Sequence, residues 1–569
     1  MLTLKGGSRP PWVGLGAAVW VQIASGNTFT FPLYSHSLKS VLGFNQRQVT
    51  LLGVANDIGE NVGLLPGIAC NSFPPWLILS VGAFASFIGY GVLWLAVTQT
   101  LTNLPYLLLW FALVIASNSS AWLTTAVLVT NMRNFPVSRG KVAGILKGYG
   151  GLSAAVFTEI YSLLLHNSSS KFLLLLAIGI PVVCFSMMFL VRPCTPALDE
   201  DSTSNSHFIF IQCSSVVLGI YLLATTVFGN LLPFSGTVSY ILIAVMIVLL
   251  MAPIAVPIKM TLYRKSTSNS EERVGSSDSL SQGNDDKIEP LLGSSSTGAL
   301  GSSNEQDDSS EVAMLLALGE GAIKQKKRKP KRGEDFKFTE AIIKADFWLL
   351  FIVYFVGVGT GVTVLNNLAQ IGIAQGEEDT TTLLSIFSFC NFVGRLGGGV
   401  VSEHFVRTKL IPRTFWLTCT QTVMLLVYLL FAFAVNGTLY PAVAFLGVCY
   451  GVQVSIMIPT VSELFGLKNF GVLSNVMSLG NPLGATLFSA LLAGSIYDIE
   501  AAKQHGINLV ASGASCIGAN CFKLTFFILS GVCAAGIIFS IILTLRIKPV
   551  YQMLYAGGSF RVPQTTPSR

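Results

Sequence analysis

The segment GVANDIGENVG, residues 53–63, lies within a mostly apolar stretch (48–70) that is long enough to cross a lipid bilayer as a helix. It carries Asn56, Asp57, Glu60 and Asn61 near the middle of that predicted span. At about 100° per residue, these side chains fall within an arc of roughly 140°, and leucine, valine and isoleucine occupy the other side. Polar groups at this depth usually face a bundle interior or a water-filled cavity, so the segment predicts a polar cavity among membrane helices.

The two carboxylates of this segment are candidates for proton coupling. Asp57 near the bilayer centre costs roughly 2.5–3.5 kcal/mol on insertion scales, and Glu60 is expected to cost a similar amount. The two lie on adjacent turns and repel each other, so a proton on one of them suits a relay that alternates with conformation. The alternative is fixed structure, in which both bond to neighbouring helices or pair with Lys147. Asn56 and Asn61 can likewise contact a substrate or bond one helix to another.

The rest of the chain also indicates a membrane protein. Only 11% of its 569 residues are charged and 52% are hydrophobic, whereas soluble domains carry roughly 25% charged residues. About fourteen segments are long and apolar enough to span a bilayer. Eight come early, at residues 12–35, 48–70, 76–97, 104–130, 139–165, 172–192, 208–230 and 237–262, and six come late, at residues 346–373, 381–403, 412–435, 440–464, 471–497 and 522–546.

Lysine and arginine in the short loops predict the orientation. They follow the predicted helices of even number, so both chain ends are expected in the cytoplasm. A segment rich in serine, glycine and acidic residues follows the eighth helix, is predicted to be disordered, and leads into a basic run, KQKKRKPKR (324–332), expected to lie on anionic lipid headgroups. The predicted division is an N-terminal half of about eight helices at 11–262, a disordered cytoplasmic linker at 263–335, a six-helix half at 336–549 and a cytoplasmic tail at 550–569.

Short signals in the linker and loops bear on location and processing. EVAMLL (311–316) resembles an acidic dileucine signal for sorting machinery, so a vacuolar or endosomal membrane stands beside the plasma membrane as a location. Sequons at Asn167 and Asn436 are candidate glycosylation sites in predicted exoplasmic loops. Cys516 and Cys521 share another such loop and are either a disulfide pair or free thiols.

Four longer blocks carry a resemblance to a known family. They are RGKVAGILKGYGGLSAAVFTEIY (139–161), KADFWLLF (344–351), LNNLAQIG (365–372) and FVGRLGGGVVSEHFVRTK (392–409). Together they resemble the plant nodulin-like branch of the major facilitator superfamily, which includes proteins of the nuclear-fusion-defective type. The resemblance implies an all-α polytopic membrane protein with two six-helix halves, about two extra helices and a disordered cytoplasmic linker. The first predicted helix, GNTFTFPLYSHSLKSVLGFNQRQ (26–48), looks like that of oxalate/formate-type carriers.

The last of the four blocks also resembles the loop motif between the second and third helices of a six-helix half in that superfamily. Gly399 is placed for close helix approach, Glu403 stands at the acidic position and Arg407 at a basic one. The resemblance implies a gate at one end of the carrier. The matching site in the first half, GLLPGIACNSFPP (63–75), has no charged residue, so a symmetric gate is not implied.

Two cations inside predicted helices are candidate substrate ligands. Lys147 could bind an organic anion, neutralise a carboxylate of the second helix or extend to the membrane interface. Arg395 could clamp a carboxylate through two hydrogen bonds or form a structural ion pair with Glu403 or Asp346. Polar side chains of the second half could line the same cavity or bond helices together, namely Asn366, Asn367, Gln370, Asn391 and Gln453.

Two polar segments are predicted to break the helices that contain them. SNSSAW (117–122) interrupts the fourth predicted helix, and SLGNPLG (478–484) interrupts the thirteenth. Broken helices expose backbone groups that can bind ions or substrate, although Pro482 could serve as a hinge alone.

The sequence therefore favours a secondary active transporter that moves a small, organic-anion-like solute by alternating access, coupled to protons. No GxxxxGK[ST] motif, cysteine–histidine spacing or nucleophile–base pair indicates ATP hydrolysis, a metal site or an enzyme, and the scattered basic residues do not indicate nucleic acid. The expected partners are a small-molecule substrate and the lipid bilayer, without a cofactor, and the oligomeric state is left open. Two alternatives remain: a receptor or scaffold that keeps the carrier fold without transporting, and a metal-ion carrier.

Overall fold

The computed structural model describes residues 9–44, 46–101, 104–194, 202–231, 236–274, 332–376, 380–435, 437–505 and 516–555. These residues are almost entirely helical, and the two helical halves belong to one compact unit that excludes residues 262–331. The predicted all-α polytopic architecture is confirmed. Most of the predicted linker and tail lies outside the described residues, so the exact division of the chain stays a prediction.

The described part of the first half forms α1 (Arg9–Ala24), α2 (Phe31–Leu42), α3 (Gln46–Asn61), α4 (Leu64–Ser72), α5 (Pro75–Val97), α6 (Tyr106–Asn134), α7 (Arg139–Glu159), α8 (Ser169–Met187), α9 (Ser202–Leu231) and α10 (Gly236–Val274). The described part of the second half forms α11 (Phe338–Ile342), α12 (Ala345–Asn366), α13 (Leu368–Ala374), α14 (Thr380–Lys409), α15 (Thr414–Phe433), α16 (Leu439–Phe465), α17 (Phe470–Ser478), α18 (Gly480–Gly484), α19 (Ser495–His505) and α20 (Asn520–Leu554). A 3₁₀ segment covers Ser25–Thr30, and π-helical segments cover Ile160–Leu164 and Ala485–Gly494.

Eleven helical stretches among the described residues are long and apolar enough to cross a membrane. The three predicted spans that fall short of this measure are irregular or polar. In the first, the segment Ser25–Thr30 separates α1 from α2, and in the second, two residues separate α3 from α4. The fifth is α7, which carries several glycines and charged residues and passes into a π-helical turn. These three spans supply most of the first-half polar groups described below.

The predicted break at SNSSAW is wrong, because α6 runs through it without interruption. Its polar side chains instead satisfy backbone groups of the irregular helices beside it. The Asn118 amide donates to the carbonyls of Gly59 and Val62 at 2.8 and 2.9 Å, where α3 ends. The Ser119 hydroxyl accepts from the Asn27 amide at 2.8 Å, within the 3₁₀ segment. The polar run therefore marks a helix that supports broken neighbours, not a broken helix.

The predicted break at SLGNPLG is present. Helix α17 ends at Ser478, α18 covers the next short turn from Gly480, and a π-helical segment follows as far as Gly494. A Cβ on Gly484 would overlap the backbone of Gly359. The irregular stretch therefore lets α12 and α18 pack backbone against backbone.

Helices of the two halves meet along two seams. Helix α14 packs against α7, and α17 packs against α4. Glycines face each other in both seams, with Gly144 against Gly399 and Gly67 against Gly471. Small residues let helix backbones approach closely in membranes. The first seam brings the charged residues of α7 and α14 side by side.

Candidate functional site

A polar cavity of about 130 Å³ lies between the two halves. Its charged lining residues are Glu60 of α3, Lys147 of α7 and Arg395 of α14. Tyr354 of α12 and Tyr450 of α16 add phenol rings from the second half. The uncharged polar residues of the lining are Gln22, Ser25, Asn61, Ser120, Thr124, Thr125, Asn475, Ser478 and Asn481. Charged and hydrogen-bonding groups of both halves therefore converge on one small space.

Only part of the polar face predicted on α3 lines this cavity. Glu60 and Asn61 do, whereas Asp57 is exposed and is not among the lining residues. Asn56 is buried and bonds helices together: its amide donates to the Thr28 carbonyl at 3.1 Å, and its oxygen accepts from a serine hydroxyl of α6 at 2.8 Å. The structure thus separates the two candidate carboxylates and places Glu60 at the cavity.

Arg395 is held by both halves. Its Nε donates to Oδ1 of Asn391 at 3.0 Å, and its Nη1 donates to the backbone carbonyl of Lys147 at 3.1 Å. The residue is 8% exposed. The predicted alternative for Arg395, an ion pair with Glu403 or Asp346, is wrong, because both of those carboxylates pair with other arginines. Arg395 is therefore positioned at the cavity by neutral partners.

Lys147 lies half-buried in the cavity wall. Its charged neighbours are Arg395 and Glu60, but within the described ranges it forms an ion pair with neither. The predicted fixed pair between Lys147 and a carboxylate of α3 is therefore absent from this part of the chain. Two cations and one carboxylate share the cavity without neutralising one another by direct contact.

Two other polar candidates, Asn367 and Gln453, form hydrogen bonds within the second half. The Asn367 amide donates to the Ser489 hydroxyl at 3.0 Å, and the Gln453 amide donates to the Thr420 hydroxyl at 2.8 Å. These are contacts between helices of one half. The remaining candidates are not among the residues that line the cavity: Asn366, Gln370 and Asn391.

Sequence reasoning missed several lining residues. The Asn475 amide donates to the Gly63 carbonyl at 2.7 Å and so joins α17 to the gap between α3 and α4. The Tyr450 hydroxyl donates to Oδ1 of Asn481 at 3.4 Å. A single polar residue in an apolar helix is weak evidence for a site, because such residues often bond helices together. Gln22, the one amide in the run VWVQIA, is the residue that the pattern could have identified.

A network of buried charges lies further along α14, where this helix packs against α7. Glu403 of α14 pairs with Arg413 at 2.5 Å and with Arg407 at 2.8 Å, and Arg413 also pairs with Glu463 of α16 at 2.7 Å. The side chains of Glu403, Arg413 and Glu463 are 0% exposed. Two tyrosine hydroxyls near the end of α20 each donate to Glu463 at 2.6 Å. We call Glu403, Arg407, Arg413 and Glu463 the latch.

The latch crosses from the second half to the first. The backbone N–H of Gly140 donates to Oε2 of Glu403 at 3.1 Å, and Nη2 of Arg407 donates to the Val137 carbonyl at 2.5 Å. Burial alone would lower the pKa of Arg413, but the two latch carboxylates outweigh burial and hold that pKa well above its usual value. Arg413 therefore stays charged, and the latch joins the halves at this end.

A substitution at Gly399 tests the close contact between α14 and α7. A Cβ on Gly399 would overlap the Gly140 carbonyl oxygen and lie 2.9 Å from Cα of Gly144, whereas a Cβ on Gly397 would meet no atom within 4 Å. We expect Gly399→Ala to lower the free energy of unfolding by about 1–3 kcal/mol, because an overpacked seam must open. Gly397→Ala is the matched control and should be neutral or stabilising, because alanine favours helix. Thermal unfolding in detergent compares them, and equal midpoints would contradict the contact.

The loop candidates fall partly within the described residues. Cys516 and Cys521 form a disulfide. Asn167 is exposed in the turn between α7 and α8, where glycosylation stays a prediction. Asn436 lies outside the described residues.

Family comparisons cover most of the chain. A family model described as Nodulin-like matches residues 11–258, and one described as NFD4, C-terminal domain, matches residues 335–553. Protein NUCLEAR FUSION DEFECTIVE 4 of Arabidopsis thaliana is 30% identical over 558 residues, which cover 95% of this chain and 90% of that protein. The uncharacterized MFS-type transporter YhjX of Escherichia coli (strain K12) is 26% identical over 157 residues, 27% of this chain and 38% of that protein.

Solved structures match the fold along nearly the whole chain. The human organic anion transporter MFSD10 (TETRAN) aligns with a TM-score of 0.52 at 11% identity, covering 94% of this chain and 99% of that one. The proton:xylose symporter XylE, bound to 6-bromo-6-deoxy-D-glucose, aligns with a TM-score of 0.51 at 11% identity, covering 93% and 94%. The chain therefore has the major facilitator fold and is a multi-pass integral membrane protein.

Proposed function

The chain belongs to the nodulin-like family of the major facilitator superfamily, and we propose that it is a secondary active transporter that carries a small organic anion together with a proton by alternating access. The fold and the relatives indicate a transporter rather than an enzyme. The single observation that carries the proposal is the meeting of Lys147, Arg395 and Glu60 in one cavity between the halves.

The two cations come from opposite halves, and this supports anion transport. Lys147 belongs to α7 and Arg395 to α14, the helices that form one seam between the halves. An anion between them would be attracted to both halves at once. Charge-assisted hydrogen bonds from arginine and lysine are the strong ones in recognition of carboxylates. A substrate of this kind therefore holds the two halves together when it binds.

The same two helices carry the latch, and this supports alternating access. Lys147 lies seven residues beyond Gly140 on α7, and Arg395 lies eight residues before Glu403 on α14. At 1.5 Å per residue, the cavity is roughly 10–12 Å from the latch along both helices. The latch closes one end of the seam in this conformation. Transport requires the alternate conformation, in which the latch contacts separate and the other end of the cavity closes.

Glu60 is the proposed coupling carboxylate. It is the one acidic residue in the cavity lining. Partly buried carboxylates inside membrane bundles mark proton relays in pumps and transporters. Asp57, three residues earlier, is exposed. We propose that Glu60 exchanges its proton with solvent by way of Asp57.

We further propose a location and an orientation in the membrane. Both termini are cytoplasmic in this arrangement, and the membrane is the plasma membrane or a vacuolar or endosomal one. The dileucine-like segment at 311–316 lies outside the described residues.

Uptake into proteoliposomes tests the proposal. Purified protein is reconstituted with a pH gradient and offered small carboxylates, amino acids and metal ions separately. Accumulation of a carboxylate that follows the pH gradient is the expected result. Accumulation of a metal ion alone would favour the metal-carrier alternative. No movement of any solute on a broad panel, by protein of native thermal stability, would favour a receptor or scaffold.

Removal of either cation should weaken substrate binding. A hydrogen bond to a charged group contributes about 1.5–3 kcal/mol, so Arg395→Gln and Lys147→Gln are each expected to raise the KM for the transported anion by about 10- to 150-fold. Lys171→Gln is the matched control, because Lys171 is exposed at the start of α8, away from the cavity. Concentration-dependent uptake gives the KM. An unchanged KM in both cavity variants would contradict the anion site.

A further inference from the structure

We propose that the substrate is a dicarboxylate of three or four carbons, carried as the dianion with one proton on Glu60. The inference rests on the proposed function and deepens it, because it names the substrate class and the charge moved per cycle. Three observations carry it: the number of charges in the cavity, their distribution over the two halves and the size of the space.

The residues that line the cavity carry a net positive charge. The cavity lining holds two cations, Lys147 and Arg395, and one carboxylate, Glu60. The net charge of this lining is therefore +1 when Glu60 is ionised and +2 when it holds a proton. The other ionisable groups that face Glu60 are Asp57 on its own helix, which is exposed outside the lining, and the neutral phenols Tyr90, Tyr354 and Tyr450.

A closed site in the membrane favours zero net charge. Taking uncompensated charge out of water is expensive, and the attraction between opposite charges offsets it only when the charges balance. A dianion balances the two cations when Glu60 is protonated. A monoanion balances the lining only when Glu60 is ionised, and then no proton moves with it. Proton coupling and neutrality together therefore select the dianion.

The two cations are also placed to bind two carboxylates. Arg395 uses Nε for Asn391 and Nη1 for the Lys147 carbonyl, and its Nη2 makes no hydrogen bond to the described residues. The Lys147 ammonium group makes none either, within the same ranges. One carboxylate on each cation spans the seam between the halves. When Glu60 is protonated, a monocarboxylate would leave one of the two positive charges uncompensated.

The size of the space limits the chain length. A cavity of about 130 Å³ is similar in size to an engineered cavity of about 150 Å³ that takes up benzene, so it accommodates a compact molecule of a few carbon atoms. The space suits a short, compact acid. The phenol rings of Tyr354 and Tyr450 bound it on the second-half side. Malonate and succinate are therefore suitable probes.

Charge movement by the wild-type protein tests this inference. A dianion with one proton carries one negative charge inward, so an inside-positive potential of about 100 mV should raise succinate accumulation about 50-fold at a fixed pH gradient. A monocarboxylate with one proton carries no net charge, and its accumulation would not respond. Radiolabelled malonate, succinate, propionate and butyrate are compared in liposomes with a potassium diffusion potential set by valinomycin.

The outcomes separate this inference from the proposed function. Preference for malonate or succinate with potential-driven accumulation is the expected result. Monocarboxylate uptake that follows pH but ignores potential would overturn the dicarboxylate assignment and leave proton-coupled anion transport standing. No uptake of any of the four acids, by protein of native thermal stability, would overturn the dicarboxylate assignment, and the broad panel of solutes then tests the proposed function separately.

The substitution Lys147→Gln tests the same inference, because it is expected to reverse the substrate preference. Lys147→Gln leaves one cation in the cavity, so butyrate should be preferred over succinate by at least about tenfold, the reverse of the wild type. Lys147→Arg keeps both charges and should keep the dicarboxylate preference. A uniform loss of uptake for both acids in Lys147→Gln, with the wild type insensitive to potential, would contradict the charge argument.

Discussion

Glu60→Gln is expected to abolish accumulation driven by the pH gradient while leaving exchange of substrate across the membrane. For one proton per substrate, each pH unit is worth about 1.4 kcal/mol, so the wild type should accumulate substrate about tenfold per unit. The variant should accumulate none beyond equilibrium, because glutamine fills the same place in the cavity wall but cannot release a proton. Counterflow of labelled against unlabelled substrate at equal pH measures the exchange that remains.

The control for this prediction keeps the same chemical change away from the cavity. Glu500 is paired with Lys503 on α19 and is not among the lining residues, so Glu500→Gln should accumulate like the wild type. Asp57→Asn is an informative third variant, with a smaller expected effect than Glu60→Gln because the Asp57 side chain lies outside the lining. Full pH-driven accumulation by folded Glu60→Gln protein would contradict the coupling role and direct attention to Asp57.

The difference between Asp57 and Glu60 shows where sequence reasoning stops. Helical periodicity predicted both on one polar face of α3, whereas only Glu60 of the two lines the cavity. It could not assign which of them meets the cavity, because that depends on α7 and α14, whose positions are set by glycine contacts between distant parts of the chain. The gap between α3 and α4 was also hidden, since its carbonyls are satisfied by Asn118, about 60 residues away along the chain.

Lys147 and Arg395 illustrate the opposite case. A cation within an apolar helix is costly unless it has a partner or a function, so the pattern alone identified both as candidates. The pairing of Arg395 could not be predicted from the sequence, because carboxylates close to it along the chain, such as Glu403, were also candidate partners. In the structure, Glu403 pairs with Arg407 and Arg413 instead. Long-range competition for partners, rather than local pattern, therefore leaves Arg395 with neutral hydrogen-bond partners among the described residues.

The latch was predictable only in part. The motif around Gly399 identified Glu403 and Arg407, because their spacing on one helix resembles a known loop pattern. Arg413 was visible only as a loop cation, and Glu463 had no local signal at all, being 50 residues further along the chain. A buried network of this kind depends on how α15, α16 and α20 come together. No window of sequence contains that information.

The latch and the cavity share α7 and α14, so a change at either is felt by the other. In the proposed mechanism, an anion that draws Lys147 and Arg395 together would strengthen the seam that the latch holds shut. Opening of the latch would then move the two cations apart and weaken their joint hold on the anion. Release of substrate at the latch end in this mechanism would follow from the arrangement of charges on two helices, without a separate signal between sites.

Arg413→Met is expected to lower the free energy of unfolding by about 3–5 kcal/mol, the usual cost of removing one partner from a buried ion pair. The substitution leaves Glu403 and Glu463 without their shared cation, in a site where both side chains are 0% exposed. Methionine preserves much of the apolar stem, so lost charge rather than lost volume is the cause. Thermal and denaturant unfolding of the purified protein in detergent give the size of the effect.

Arg546→Met is the matched control for this change. Arg546 also pairs with a carboxylate, Asp346, at 2.8 Å, but its side chain is 44% exposed, and such pairs contribute about 0–1 kcal/mol. A large loss of stability for Arg413→Met and a small one for Arg546→Met would assign the stability to burial of the latch. Equal losses would mean that water reaches the latch carboxylates. In that case the latch opens readily, and closure of this end depends on the glycine seam between α7 and α14 rather than on charge.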